Sequence, residues 1–286
     1  MAAPPILVVA VFIGFPILAA IAYTLGYGGG PNAVVASIAQ GQQLTSHGVT
    51  TAAYRQVFAD PLFSRSLVAT VVVTVASTAA TLLLAGAIAL YARLSPGRSG
   101  RVLAALAVVP LFVPVVIASY ALLAFWARDG FPASVAHWLH LPAPVFSYTL
   151  TGVTIGETWT SLPFAVLMLT SGFAAVPDSL LEASRDAGAS TARTVRSVIL
   201  PMASVPLVIA TTFTAIGVLG SFTVPYLLGP TAPNLLGPNI SQTFIAYNRA
   251  QQAQVMAVVL FALAAVIGVA YVRANMRAAR RSGATT

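Results

Sequence analysis

The stretch from Val176 to Pro201, VPDSLLEASRDAGASTARTVRSVILP, decides how the rest of the chain is read. It lies between two long apolar runs and holds three of the six acidic residues of the protein, Asp178, Glu182 and Asp186. Ser179 followed by Glu182 has the spacing of a capping box, in which each side chain satisfies a backbone N–H near a helix start, so a short helix opens here. Gly188 ends it. Within that helix Glu182 and Asp186 stand four apart with Arg185 between them, giving a charged side, while Leu180, Leu181, Ala183 and Ala187 form a small apolar patch. A second short helix is expected from Ser190 or Thr191 to near Leu200, with Arg193 and Arg196 on one side and Val195, Val198 and Ile199 on another. Pro201 then sits in the first turn of the next apolar run, where a missing N–H costs little.

Outside this stretch the chain is overwhelmingly apolar. Of 286 residues 7% are charged and 58% hydrophobic, and the mean hydropathy is +0.89. These values exclude an ordinary water-soluble domain and make the bilayer the solvent. All 14 basic residues are Arg. A P-loop, which needs a lysine on the nucleotide phosphates, therefore has no counterpart here, and any ATP is hydrolysed by another chain. There is no Cys, so no disulfide framework, thiolate metal site or cysteine nucleophile is available. A net charge of +8 would suggest nucleic acid in a soluble protein. In this chain the Arg residues flank apolar runs, which assigns them to membrane topology and not to nucleic acid.

Six apolar runs are long enough to cross ~30 Å of hydrocarbon as helices, at about 4–25, 66–92, 102–125, 148–175, 202–228 and 254–272. The first is read as a retained span and not a cleaved leader, since no basic residue precedes its apolar core. Prolines 110, 114, 163, 206 and 225 fall within the runs and are expected to bend some of them. With the N-terminus inside, ten Arg residues face the cytoplasm (93, 98, 101, 185, 193, 196, 273, 277, 280 and 281) and four (55, 65, 128 and 249) face outward. This obeys the positive-inside rule and places Val176 to Pro201, and both termini, in the cytoplasm. The expected organisation is residues 1–60 as a first span plus an outer connection, 61–275 as a membrane core containing the 176–201 loop, and 276–286 as a basic tail. The outer connections, about 26–65, 126–147 and 229–253, carry the Gly28-Gly29-Gly30-Pro31 segment, a polar Gln40 to His47 segment, and Trp126, Trp138, Tyr148 and Tyr247. Asp60 and Asp129 are read as surface partners of nearby Arg residues or as contacts for a docked protein partner, and His137 and His140 as interfacial side chains beside Trp138, not as metal ligands.

Intramembrane charge points to function, because a carboxylate at the centre of a spanning helix costs at least ~2.5 kcal/mol. Glu157 is the one candidate, with Thr154, Thr158 and Ser161 on the same helical face. That face is expected to look onto a solute pathway or a partner subunit. A second stretch, Gly217 to Pro230, combines small residues for close helix approach with Pro225 for an opening near the outer mouth, and adds Ser221, Phe222 and Tyr226 to the candidate path. No paired carboxylates, Ser-His-Asp arrangement or metal-ligand cluster is visible, which disfavours a membrane enzyme.

Residues 182 to 201 also resemble a family signature. Glu182-Ala183-Ser184, Gly188 six positions after the glutamate, and Ile199-Leu200-Pro201 are similar to the EAA loop (E-A-A, three residues, G, nine or ten residues, I-x-L-P) of permease subunits of binding-protein-dependent ABC importers. Ser184 in place of the second alanine and a direct Ile-Leu-Pro ending depart mildly from it. The resemblance covers about residues 60 to 275 and implies an all-α, multi-pass cell-membrane protein with a six-helix, type I, MetI-like core. It implies as partners a second, related permease chain, two cytoplasmic ATPase subunits that hold ATP and Mg, an extracytoplasmic substrate-binding protein and the lipid bilayer. No cofactor is expected in this chain. Ser179, Glu182, Ala183, Arg185, Asp186 and Gly188 would form the coupling helix that lodges in an ATPase, while Glu157, Thr158, Ser161, Ser221, Phe222, Pro225 and Tyr226 would line or support the path. The wording of 217–230 resembles permeases for polyamines, phosphonates, iron(III), or sulfate and thiosulfate more than sugar permeases, so a small charged solute of polyamine or phosphonate type is the favoured substrate. A sugar or glycerol-phosphate importer is the alternative within the family. An ion-coupled secondary carrier is the alternative of another class, for which Glu157 alone is thin support.

Overall fold

The computed structural model describes residues 7–8, 10–26, 49–95 and 97–281, and every regular element among them is helical. The glycine-rich and Gln40 to His47 segments of the first outer connection, and the last five residues of the tail, lie outside the described residues. In chain order the helices are α1 (Phe15–Thr24), entered through a π-helical turn at Ala10–Gly14, α2 (Ala52–Ala59), α3 (Pro61–Leu94), α4 (Arg98–Val108), α5 (Val115–Phe125), α6 (Phe131–Trp138), α7 (Leu150–Ala174), α8 (Asp178–Asp186), α9 (Thr191–Thr194), α10 (Ser204–Leu219), α11 (Thr223–Leu228), α12 (Leu236–Ile245) and α13 (Ala250–Arg281).

Two stretches, Pro61–Leu94 and Ala250–Met276, are long and apolar enough to cross a bilayer unbroken. Three more reach that length as bent pairs: α4 with α5 at 108°, α7 with α8 at 67°, and Thr191–Met202 with α10 at 76°. The run at 102–125, expected as one helix, is thus broken. A 3-10 turn at Val109–Phe112 leads into Val113, which is extended at φ −97°, ψ 121°. Pro114 follows and crowds the helical conformation out of the residue before it. The run at 202–228 is broken as well, between Leu219 and Thr223. Pro225 lies just after that break, in the first turn of α11, where its missing N–H has no helical partner to lose. Pro163, by contrast, is carried inside a continuous α7.

Packing divides the chain into two compact units, Met1–Thr70 with Thr231–Leu263, and Val71–Pro230 with Ala264–Thr286. In the first unit Ala53, Val57, Phe63, Leu236, Val255 and Met256 form the core. Side-chain hydrogen bonds tie its helices: Thr70 Oγ1 accepts from Leu236 N at 2.8 Å, Asn239 Nδ2 donates to Ser66 Oγ at 3.2 Å, and Gln252 Nε2 donates to Gln56 Oε1 at 3.0 Å. Asp60, expected as a surface partner of Arg, instead starts α3, its Oδ1 accepting from Leu62 N at 2.8 Å. The second unit is built on small residues, Ala85, Ala89, Ala107, Ala165, Ala203 and Ala210, packed with Val166, Leu169, Phe173, Val176, Leu181 and Ile199. With no water to expel between spanning helices, such residues stabilise by letting backbones approach closely.

Candidate functional site

The 176–201 stretch forms a helical hairpin in the second unit, α8 and α9, rooted in the core by few residues. On α8 Leu181 is buried and Ser184 half-buried, while Asp178, Ser179, Leu180, Glu182, Ala183, Arg185 and Asp186 are exposed. The expected capping box is absent. The helix begins two residues earlier than its spacing implies, with Pro177 as N-cap and Asp178 in the first turn, and no side chain caps it. Ser179 is therefore already inside the helix and cannot receive the N3 amide.

The other end follows the sequence closely. Gly188 has φ +73°. Its N–H donates to Arg185 O at 2.8 Å, and Ala189 N–H donates to Ser184 O at 3.0 Å. That pair of bonds is a Schellman closure, which needs a left-handed residue at the glycine position. Ser184 Oγ shares a 2.8 Å hydrogen bond with Thr194 Oγ1, joining α8 to α9. The departure from a second alanine thus has a local use. Ser190 caps α9, its Oγ accepting from Arg193 N at 3.4 Å. The helix then widens into a π-helical turn at Val195–Ile199 and runs to Met202, past the expected end near Leu200. The wider turn accommodates Pro201, whose ring would crowd the carbonyl four residues back in a regular α-helix.

Glu157 on α7 is 3% exposed and Thr158 8%, so both are enclosed by this chain's own helices. On the face that they share, Thr154 and Ser161 are half-buried. Ser221, in the break between α10 and α11, has its hydroxyl beside the Glu157 carboxyl, whereas Glu157 Oε1 has no hydrogen-bond partner among the described residues. Gly156, the preceding residue, lets α11 close on α7: a Cβ there would lie 2.8 Å from Val224 Cγ1 and 3.2 Å from Leu228 Cδ2. Of the other path candidates, Pro225 is buried, Ser161 and Ser221 are half-buried, and Phe222 and Tyr226 are exposed. The last two stack, with ring centroids 5.1 Å apart and planes at 17°. The structure thus brings Glu157 and Ser221 together and gives Phe222 and Tyr226 a surface of their own.

Two features were missed in the sequence. Thr74, Ser77, Thr78 and Thr81 form a buried polar stripe on α3, and Ser77 Oγ donates to Thr154 O at 3.4 Å. The signal was the helical spacing of hydroxyls within an apolar run. Arg93, counted only for topology, makes the one ion pair among the described residues, to Asp178.

Residues 82–281 match the family described as binding-protein-dependent transport system inner membrane component. The chain belongs to this family. It is therefore a multi-pass protein of the cell membrane, and the EAA-loop resemblance is met by a match over most of the chain. It is 31% identical over 200 residues to the inner membrane ABC transporter permease protein YdcU of Escherichia coli, covering 64% of this chain and 62% of that one. It is 30% identical over 176 residues to the trehalose transport system permease protein SugA of Mycobacterium tuberculosis, covering 61% and 57%. It is 28% identical over 188 residues to the spermidine/putrescine transport system permease protein PotB of E. coli, covering 65% and 68%. The matched region thus spans about three fifths of the length of YdcU and SugA. Among solved structures, a chain of a bacterial ABC transporter that imports alginate aligns with TM-score 0.73 at 15% identity over 98% of this chain and 94% of that one. A chain of the MetNI methionine ABC transporter aligns with TM-score 0.60 at 23% identity over 76% and 96%. The fold is that of MetI-like ABC transporter permeases.

Proposed function

We propose that this chain is one permease subunit of an ATP-driven importer, crossing the membrane six times with both termini in the cytoplasm, and that α8 couples it to a separate ATPase. The observation that carries this reading is the α8–α9 hairpin: a charged, exposed helix anchored by buried Leu181 and closed at Gly188, in a chain of the binding-protein-dependent family. Ser179, Glu182, Ala183, Arg185, Asp186 and Gly188 are its contact positions. The ten-to-four Arg asymmetry supports a cytoplasmic place for it. Movement of the ATPase pair would then be passed to α7 and α10 as rigid-body switching, with no covalent chemistry in this chain. ATP and Mg belong to the ATPase subunits, solute delivery to an extracytoplasmic binding protein, and the other half of the path to a second permease.

For the path, the exposed Phe222–Tyr226 stack is the contact surface, with Ser221 at its edge. Glu157, Thr158, Ser161 and Pro225 support it from behind, with Gly156 allowing their close approach. A small charged solute is the first substrate reading, supported by the likeness to PotB; a sugar is the second, supported equally by the likeness to SugA. The test is co-isolation from the native membrane. The expected result is a complex containing an ATPase and a binding protein, whose bound ligand decides between charged solute and sugar. Uptake should fall at least tenfold in Glu182→Lys. Isolation without an ATPase, with uptake intact in Glu182→Lys and driven by an ion gradient, would establish a secondary carrier instead.

A further inference from the structure

Arg93 stands at the end of α3, 80 and more residues from the side of the hairpin that it holds. Its Nε donates to Phe173 O at 2.9 Å. Its Nη2 donates to Val176 O at 2.7 Å and to Asp178 Oδ1 at 2.6 Å. Those three acceptors bracket the bend where α7 turns by 67° into α8: the last turn of α7, the linker and the first residue of α8. Phe173 and Val176 are buried at 1% and 2% exposure. A helix C-terminus leaves carbonyls without intrahelical donors, and a guanidinium, planar with a fixed fork of N–H groups, can satisfy several acceptors in one geometry.

We propose that Arg93 is the positioning residue that fixes the angle of α8 against α7, so that motion of the hairpin is delivered to the spanning helix and not absorbed at the bend. This deepens the coupling role proposed for α8 and rests on it. Leu181 is the only fully buried side chain of α8, and one apolar contact allows a short helix to pivot about it. The Ser184–Thr194 bond ties the far end of α8 to α9, and Arg93 supplies the attachment at its near end, at the bend itself. The carbonyl bonds carry more of this than the ion pair does. Asp178 is 77% exposed and its charge is screened by solvent, whereas Arg93 is 17% exposed and directs two of its bonds to main chain at a buried turn.

The chain contains no cysteine, so pairs of introduced cysteines can be spin-labelled without background. Labels at Ser171 on α7 and Ala187 just after α8, both exposed, report the bend in the full-length chain in lipid nanodiscs. Labels at Leu167 and Ile216, exposed on α7 and α10, report the packing of the spans. For the first pair, Arg93→Ala is expected to broaden the distance distribution about twofold. Arg93→Lys, which retains charge but loses the fork, should broaden it nearly as much, and Asp178→Asn less. The second pair should be unchanged in Arg93→Lys and Asp178→Asn, which carry the test if Arg93→Ala disturbs the fold. In the assembled importer, Arg93→Lys should lower transport per ATP hydrolysed on the order of tenfold while the ATPase stays bound. An unchanged bend distribution in both Arg93 variants overturns the positioning role. A broadened distribution in a chain that never binds an ATPase leaves Arg93 as the brace of the bend and overturns the coupling role of α8.

Discussion

At the residue scale, Gly188 is where the hairpin is most sharply constrained. Its φ of +73° lies in the left-handed region, and its N–H and that of Ala189 close α8. An alanine there would carry a strain of about 1–2 kcal/mol. Gly188→Ala is therefore expected to raise hydrogen exchange at Ala187 to Ala189 about tenfold in the full chain, with Gly188→Asn milder because asparagine tolerates this conformation. Unchanged exchange in Gly188→Ala would show that the closure is not needed. Gly188 was legible in the sequence because its role is local and depends on one residue type. Arg93 was not: its acceptors are two backbone carbonyls and an Asp on other elements, and nothing in the spacing of the chain links position 93 to 173, 176 and 178. The capping box failed for a related reason. Pro177 already fixes an extended entry at φ −59°, ψ 137°, so the helix starts at Asp178 and Ser179 falls inside it.

At the element scale, apolar length predicted where helices lie but not where they break. Pro114 stands at a helix break, as the N-cap of α5, and Pro163 lies inside a continuous helix, although both lie within apolar runs. Val113 is held extended between Pro110, which opens a 3-10 turn, and Pro114, whereas Pro163 is isolated and buried inside the second unit. Neighbouring helices thus decide what a proline does in a membrane helix. Packing of α11 on α7 depends in the same way on a single small residue. Gly156→Val should cost about 1–3 kcal/mol by overpacking against Val224 and Leu228. Gly217→Ala, with open space around its Cβ position, should be neutral or stabilise α10 by up to ~1 kcal/mol. Thermal unfolding in detergent checks both. Equal midpoints for Gly156→Val and the parent would mean that α11 does not seat on α7 as the structure has it.

At the scale of the whole molecule, a chain with 7% charged residues concentrates half its acidic groups in one exposed hairpin. Composition and Arg placement made a membrane protein legible, and the EAA-like pattern made the family legible, because both depend on residue types that a bilayer and a tight helical hairpin restrict. The enclosure of Glu157 and the exposure of the Phe222–Tyr226 stack were not legible, since they depend on how α7, α10 and α11 meet. The central claim is that α8 is the contact with an ATPase, and the absence of cysteine allows a direct measurement. A single cysteine at exposed Ala183, carrying a photo-activated cross-linker in native membranes, should join this chain to an ATPase subunit, with the yield changing when ATP is trapped. Labelling of that cysteine from the extracytoplasmic side, or cross-links to no ATPase with and without nucleotide, would contradict the account.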